Sequence, residues 1–206
     1  KNNTDTSSSE AVSEENSSDS ACPANEIIDY SKSGDFKSLG CQKALDAMCQ
    51  CLNSKETIET ILKDLNTLAI DYSGCATRDV NVDLLYKVVE VRAASRYFDA
   101  EEEPLFYKDS AIMFYGKNGL LITNKAIYRI KKNGLRKILF SKMESLHLVD
   151  ILNGRDECKW CFNGIREFDL DAIGIDSKWS GTIMALVCLL FKKNQPGKKI
   201  KFFNFV

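Results

Sequence analysis

The sequence predicts an α+β protein: a small helical bundle in the first half, then a curved antiparallel sheet closed by one C-terminal helix. Three observations carry that expectation. Apolar residues recur every three or four positions between Glu26 and Phe98, four Asn-Gly pairs punctuate the stretch from Ser110 to Leu170, and one long amphipathic segment follows near Asp176. The expected organisation is a leader over 1–24, a helical domain over 25–100 and a β domain with its helix over 104–206.

Residues 1–20 hold seven serines and six charges, five of them acidic, with Val12 the one large aliphatic side chain. So little apolar surface cannot offset the entropy of ordering, and the leader reads as disordered. It suits a tether behind a membrane or lipid anchor, or a linker after another small domain. Lys1 is not an initiator methionine, so the chain reads as processed or partial.

The first helix is expected from about Asp35 to Leu52, with Phe36, Leu39, Leu45, Met48 and Leu52 on its buried face and Cys41 close to it. The second has Asn53 as a candidate N-cap and Glu56 three positions on. It places Ile58, Ile61, Leu62, Leu65, Leu68, Ala69 and Tyr72 on one stripe and ends near Gly74. A third, from about Val82 to Phe98, carries Leu84, Leu85, Val88, Val91 and Phe98.

The period then changes. Asn-Gly at 118–119, 133–134, 153–154 and 163–164 is the strongest short-range hairpin signal, because both central residues of a type I′ turn need positive φ. The strands that fit are Ala111–Tyr115, Leu120–Thr123, Ala126–Lys131, Arg136–Phe140, Glu144–Val149, Lys159–Phe162 and Ile165–Leu170. Seven short strands suit a strongly curved sheet or small barrel. A helix opened by Asp176 or Ser177 and running to about Lys193 presents Trp179, Ile183, Leu186, Val187 and Leu190, and Pro196-Gly197 ends it. The last stretch, Lys198–Val206, is a short extra strand or an apolar tail with Phe202, Phe203 and Phe205.

Composition excludes several classes. With 28 basic and 29 acidic residues the net charge is −1, which lacks the basic footprint usual for nucleic-acid binding. The longest apolar run, Ile183–Phe191, is nine residues, about half a bilayer-spanning helix. No glycine-rich phosphate loop occurs, and no stretch carries a specific catalytic or cofactor motif, so a non-enzymatic role with no cofactor is expected. Eight cysteines in a chain able to build its own core do not require disulfides and favour the cytoplasm. The leader leaves a surface-anchored lipoprotein as the alternative.

Four chemistries deserve weighing. Cys158 and Cys161 form the one C-x-x-C, while Cys49 and Cys51 would lie roughly 200° apart on a helix, so the two pairs make a poor zinc set. A cysteine-dependent redox or zinc protein is nonetheless the alternative from another class. His147 is the single histidine, on the strand face opposite Leu146 and Leu148, with no nucleophile elbow beside it. Asp169 and Asp171 alternate along a strand end, and Asp99, Glu101, Glu102 and Glu103 read as a solvated interdomain loop. The fourth is charge. From Ser110 to Lys142 there are eight basic residues and no acidic one. Arg129, Lys131, Lys132, Arg136 and Lys137 bracket the Asn133-Gly134 turn, so a hairpin concentrates them at one tip. Lysines also serve to keep exposed strands from pairing edge to edge, which is the bland reading of the same cluster.

The stretch Gly119-Leu-Leu-Ile-Thr-Asn-Lys-Ala-Ile-Tyr128 resembles the strand, Thr-Asn-Lys-Arg turn, strand hairpin of bacterial pleckstrin-homology-like domains. Ala94-Ser-Arg-Tyr-Phe98, Lys108-Asp-Ser-Ala-Ile112, Gly116-Lys-Asn-Gly-Leu120 and Phe162-Asn-Gly-Ile-Arg-Glu-Phe-Asp-Leu170 are similar to a bacterial family of unknown biochemistry within that group. It often carries an N-terminal zinc ribbon, which these residues lack. The resemblance covers roughly residues 90–193, and Ala126 stands where the related turn often has Arg. It implies a pleckstrin-homology-like fold whose early hairpin loops contact anionic lipid headgroups. The expected activity is therefore docking of a protein partner or an anionic membrane surface.

Overall fold

The stretch of helical apolar spacing holds helices but also two strands, Ile28–Lys32 and Asp79–Val80, each of which joins a sheet built from the later half of the chain, so the expected separate helical bundle is corrected at these residues. A computed structural model of the chain describes residues 23–32, 34, 39–71, 79–80, 85, 89–109, 119–131, 134–151, 157–171 and 177–205. Residues 1–22 of the leader lie outside them, as do the expected strand Ala111–Tyr115, Phe36, Tyr72, Gly74, Leu84, Lys117, Lys132 and the Asn153-Gly154 turn, while Pro23 and Ala24 of the expected leader open a short helix.

The described residues form an α+β fold of five α-helices and two five-stranded sheets, without a closed barrel. The helices are α1 (Pro23–Ile27), α2 (Leu39–Asn53), α3 (Ile58–Asp71), α4 (Val89–Ala94) and α5 (Ser177–Asn194). The strands are β1 (Ile28–Lys32), β2 (Asp79–Val80), β3 (Pro104–Asp109), β4 (Gly119–Thr123), β5 (Ala126–Lys131), β6 (Gly134–Leu139), β7 (Ser145–Ile151), β8 (Glu157–Phe162), β9 (Ile165–Asp171) and β10 (Ile200–Phe205).

The expected meander divides. Strands β2 to β6 pair antiparallel in chain order as one sheet, and the second sheet has the order β1-β10-β7-β8-β9. A 3₁₀ turn at Phe140–Lys142 separates β6 from β7, and its buried Phe140 locks it in place. The C-terminal stretch is a strand inside the second sheet, parallel to both β1 and β7. Its Phe202 and Ile200 face the core, so the apolar tail is a structural element.

Several local expectations shift by a few residues for identifiable reasons. Asn53 ends α2, its Oδ1 accepting the Ala24 N–H at 3.3 Å, and the cap of α3 is Thr57, whose Oγ1 accepts the Thr60 N–H at 3.1 Å. Leu39 is 59% exposed, and the buried face of α2 is Gly40, Cys41, Ala44, Met48 and Leu52. That face packs chiefly against α5. A Cβ at Gly181 of α5 would stand 2.2 Å from the Ala44 carbonyl oxygen, so only glycine permits this approach. The Asn163-Gly164 turn joins β8 to β9 with φ of 52° and 67°, as a type I′ turn demands.

The main core lies between α2, α3, α5 and the inner faces of both sheets, around Trp160, Phe106, Phe162, Phe191 and Phe202. Burying each such side chain stabilises the fold by about 1.5–3 kcal/mol. A second cluster, Leu85, Val91, Ala94, Tyr107, Leu121, Ala126 and Tyr128, covers the other face of the first sheet. The end of α5 ties the sheets together. Asn194 Nδ2 donates to the Asn124 carbonyl at 2.9 Å, and Gln195 Nε2 donates to the carbonyls of Phe140 and Met143 at 2.6 and 2.9 Å.

Candidate functional site

Strand parity decides what the basic cluster can do. In the β5–β6 hairpin Tyr128 lies opposite Lys137, Arg129 opposite Arg136, and Lys131 opposite Gly134. Lys137 therefore points to the face of the second cluster, whereas Arg129, Lys131 and Arg136 share the other face. Lys132 lies between the strands, outside the described residues.

On the face of Arg129 the register builds two successive rows across the sheet. Phe106, Ile122, Ile127 and Ile138 form an apolar row in the main core. The next row outward is Lys108, Leu120, Arg129 and Arg136, with Asp79 in register beside Lys108. Four strands span roughly 14 Å at the usual inter-strand spacing. Lys108 is 7% exposed and Arg136 is exposed. The Nε of Arg129 is buried and has no hydrogen-bond partner among the described residues. A guanidinium donor held out of water without an acceptor is a standing demand for one.

Lys137 meets a different fate. Its Nζ bonds to Glu102 Oε2 at 2.8 Å, to Asp99 Oδ2 at 2.9 Å and to the Tyr97 carbonyl at 3.1 Å, and lies 5.2 Å from the centre of the Tyr128 ring. Glu102 is buried, so the expected solvated loop is corrected at this residue. Thr123 Oγ1 and Tyr128 Oη donate to its Oε1 at 2.6 and 2.8 Å, and the Asp99 N–H donates to its Oε2 at 2.8 Å. Every carboxylate oxygen is satisfied.

The titration behaviour follows. Burial pushes the Glu102 carboxyl up, but the hydrogen bonds from Lys137, Thr123, the Asp99 N–H and Tyr128 outweigh it and hold the group below its usual value. Burial also opposes the charge of Lys137, yet its bonds to Glu102, Tyr128 and Asp99 keep it protonated well above the ordinary lysine range. Asp99 is held down by the Lys137 hydrogen bond and charge. Tyr128 is raised, first by burial and then by Glu102.

The Thr123-Asn124-Lys125 turn explains why the acidic loop sits there. Thr123 holds Glu102, Asn124 accepts the Glu103 N–H at 2.9 Å and donates to the Glu101 carbonyl at 3.0 Å, and Lys125 Nζ donates to the Ala100 carbonyl. The motif is a clamp on the segment that leads into β3.

Of the cysteines named as a redox or metal set, Cys49, Cys51 and Cys161 each have different neighbours, and the Cys158 side chain lies outside the described ones. Cys49 on α2 lies 3.1 Å from Tyr30 Oη, and Cys51 on α2 lies 4.0 Å from Thr182 Oγ1 of α5, its thiol raised by burial and by Glu56. Positions 158 and 161 fall on opposite faces of β8, and Cys161 stands opposite His147 across β7. His147 accepts or donates at 2.8 Å to Ser145 Oγ and stacks on Phe203 with ring centres 4.8 Å apart. Burial lowers its pKa. Among the described residues no group of three His, Cys, Asp or Glu could hold a metal ion, and no helix is long and apolar enough to cross a membrane. Asp171 lies opposite Lys159 at the end of β9.

Charge counting along the chain missed Lys108 and the Glu102 network. The spacing of Lys108 two residues after Phe106 was a usable signal, once Pro104 is read as a strand start. No protein-family model, curated protein or solved structure matches the chain.

Proposed function

We propose that the protein is a non-enzymatic binding module of pleckstrin-homology-like architecture that docks an anionic surface through the Arg129 face of its β5–β6 hairpin. The chain order supports the architecture: strands β3 to β6, then β7 to β9, then α5 packed along both. The observation that carries the function is Arg129, whose buried Nε lacks a hydrogen-bond partner among the described residues, in a row that also holds Lys108 and Arg136. A phosphate oxygen supplies the acceptor that the described residues do not. Lys131, at the tip on the same face, extends the positive potential outward. Near an anionic bilayer each such residue contributes about 1 kcal/mol, which gives weak and salt-sensitive binding.

Co-sedimentation with vesicles of phosphatidylserine and phosphatidylcholine, against phosphatidylcholine alone, tests this at low and high salt. Binding that requires the anionic lipid, weakens with salt and is lost in Lys131→Glu/Arg136→Glu is the expected result. Equal pelleting with both vesicles, or with neither, refutes it.

A further inference from the structure

The first sheet ends on β6. Among the described residues no strand pairs with the outer side of Gly134–Leu139, and no backbone hydrogen bond from another described segment falls on it. Open edges are ordinarily blunted by short length, proline, a bulge or projecting charges. β6 is six residues long, has no proline, and keeps unbroken register with β5. One of its two cations, Lys137, is drawn back into the Glu102 network, so it does not guard the edge.

We infer that β6 is a strand-addition site for an extended partner segment that alternates acidic and apolar residues. The two faces of the strand specify that alternation. Leu135 and Leu139 are half-buried against the second cluster on one face, and Arg136 is exposed on the other, backed by Arg129 and Lys131 of β5. A paired strand adds main-chain hydrogen bonds for affinity, and its alternate side chains meet an apolar shelf and a cationic row for specificity. Self-pairing is disfavoured by the same charges. Two β6 strands related by a two-fold axis near their centre set Arg136 against its own copy, and like charges directly opposite are destabilising. The inference stands on the backbone edge and does not depend on lipid binding.

The full chain is titrated into a fluorescein-labelled synthetic peptide alternating glutamate and valine, read by anisotropy, with amide hydrogen exchange measured across 134–139. The expected result is saturable binding with slowed exchange in that strand. A peptide of equal charge with proline at its centre binds roughly tenfold weaker, as does the Arg136→Glu variant with the original peptide. Equal binding of the proline peptide overturns the inference, because attraction is then electrostatic only. Absence of binding overturns it as well. So does protection of 134–139 that rises with protein concentration in the absence of peptide, which identifies a second copy as the occupant. Peptide-induced protection of 134–139 measured without vesicles separates the two readings, since a failure of anionic vesicles to bind leaves that protection in place.

Discussion

Lys137 and Arg136 are neighbours in sequence and opposites in circumstance. Lys137 points into a corner where Glu102, Asp99 and the Tyr97 carbonyl meet its ammonium, 19% exposed. Arg136 points the other way, exposed and in register with Arg129, whose Nε has no acceptor among the described residues. The same kind of charge is drawn into the fold on one face of the hairpin and is exposed on the other. A run of basic residues is therefore a mixture of roles that strand parity sorts.

The largest expected effect falls on the consumed side. Lys137→Ala leaves the Glu102 carboxylate buried without its counter-charge, a change that costs about 3 kcal/mol. In a protein of this size that lowers the melting temperature by roughly 6–12 °C, measurable by calorimetry or circular dichroism. Next comes pH. The folded state holds Glu102 and Asp99 below their ordinary values, so the unfolded chain takes up protons first as the pH falls. Stability from these groups is complete above the unfolded carboxylate range near pH 4.3 and is lost as the pH falls through the folded values beneath it. Denaturant melts between about pH 6 and pH 3 are expected to show that slope, and Glu102→Gln to flatten it.

The other face is expected to answer in binding and scarcely in stability. Arg136→Gln removes an exposed charge and is expected to shift unfolding by less than about 0.5 kcal/mol in urea melts. The smallest effect belongs to Arg129→Met. It removes a buried donor that has no partner among the described residues, so the urea midpoint is expected to stay level or rise slightly. A large loss of stability there would mean that Arg129 is already paired, and the contrast between the two faces would fail.

Much of the fold was legible. β5 at Ala126–Lys131 and α5 at Ser177–Asn194 lie where alternation and the amphipathic stripe put them, because each is bounded by a turn or a Pro-Gly stop. Asn163-Gly164 behaves as its φ requirement dictates. What could not be read is non-local. Nothing near Gly181 announces that α2 will cross it at backbone contact, since the reason is the Ala44 carbonyl, far away in the chain. The division of the meander between two sheets depends on Phe140 and on Gln195 holding the carbonyls at 140 and 143. Glu102 reads as one of four acids before a proline until Thr123, Tyr128 and Lys137 close around it. Within the candidate site, sequence supplied Arg129, Lys131 and Arg136 but could not tell that Lys137 had turned away, nor that Lys108 had joined the row.

The most direct measurement compares Lys137→Gln with Arg136→Gln side by side in urea melts and in anionic-vesicle sedimentation across a salt series. The contrast between the faces predicts that Lys137→Gln loses stability and keeps its vesicle binding, while Arg136→Gln keeps its stability and binds more weakly. Equal loss of binding in both variants, or no binding by the wild type at low salt, contradicts it.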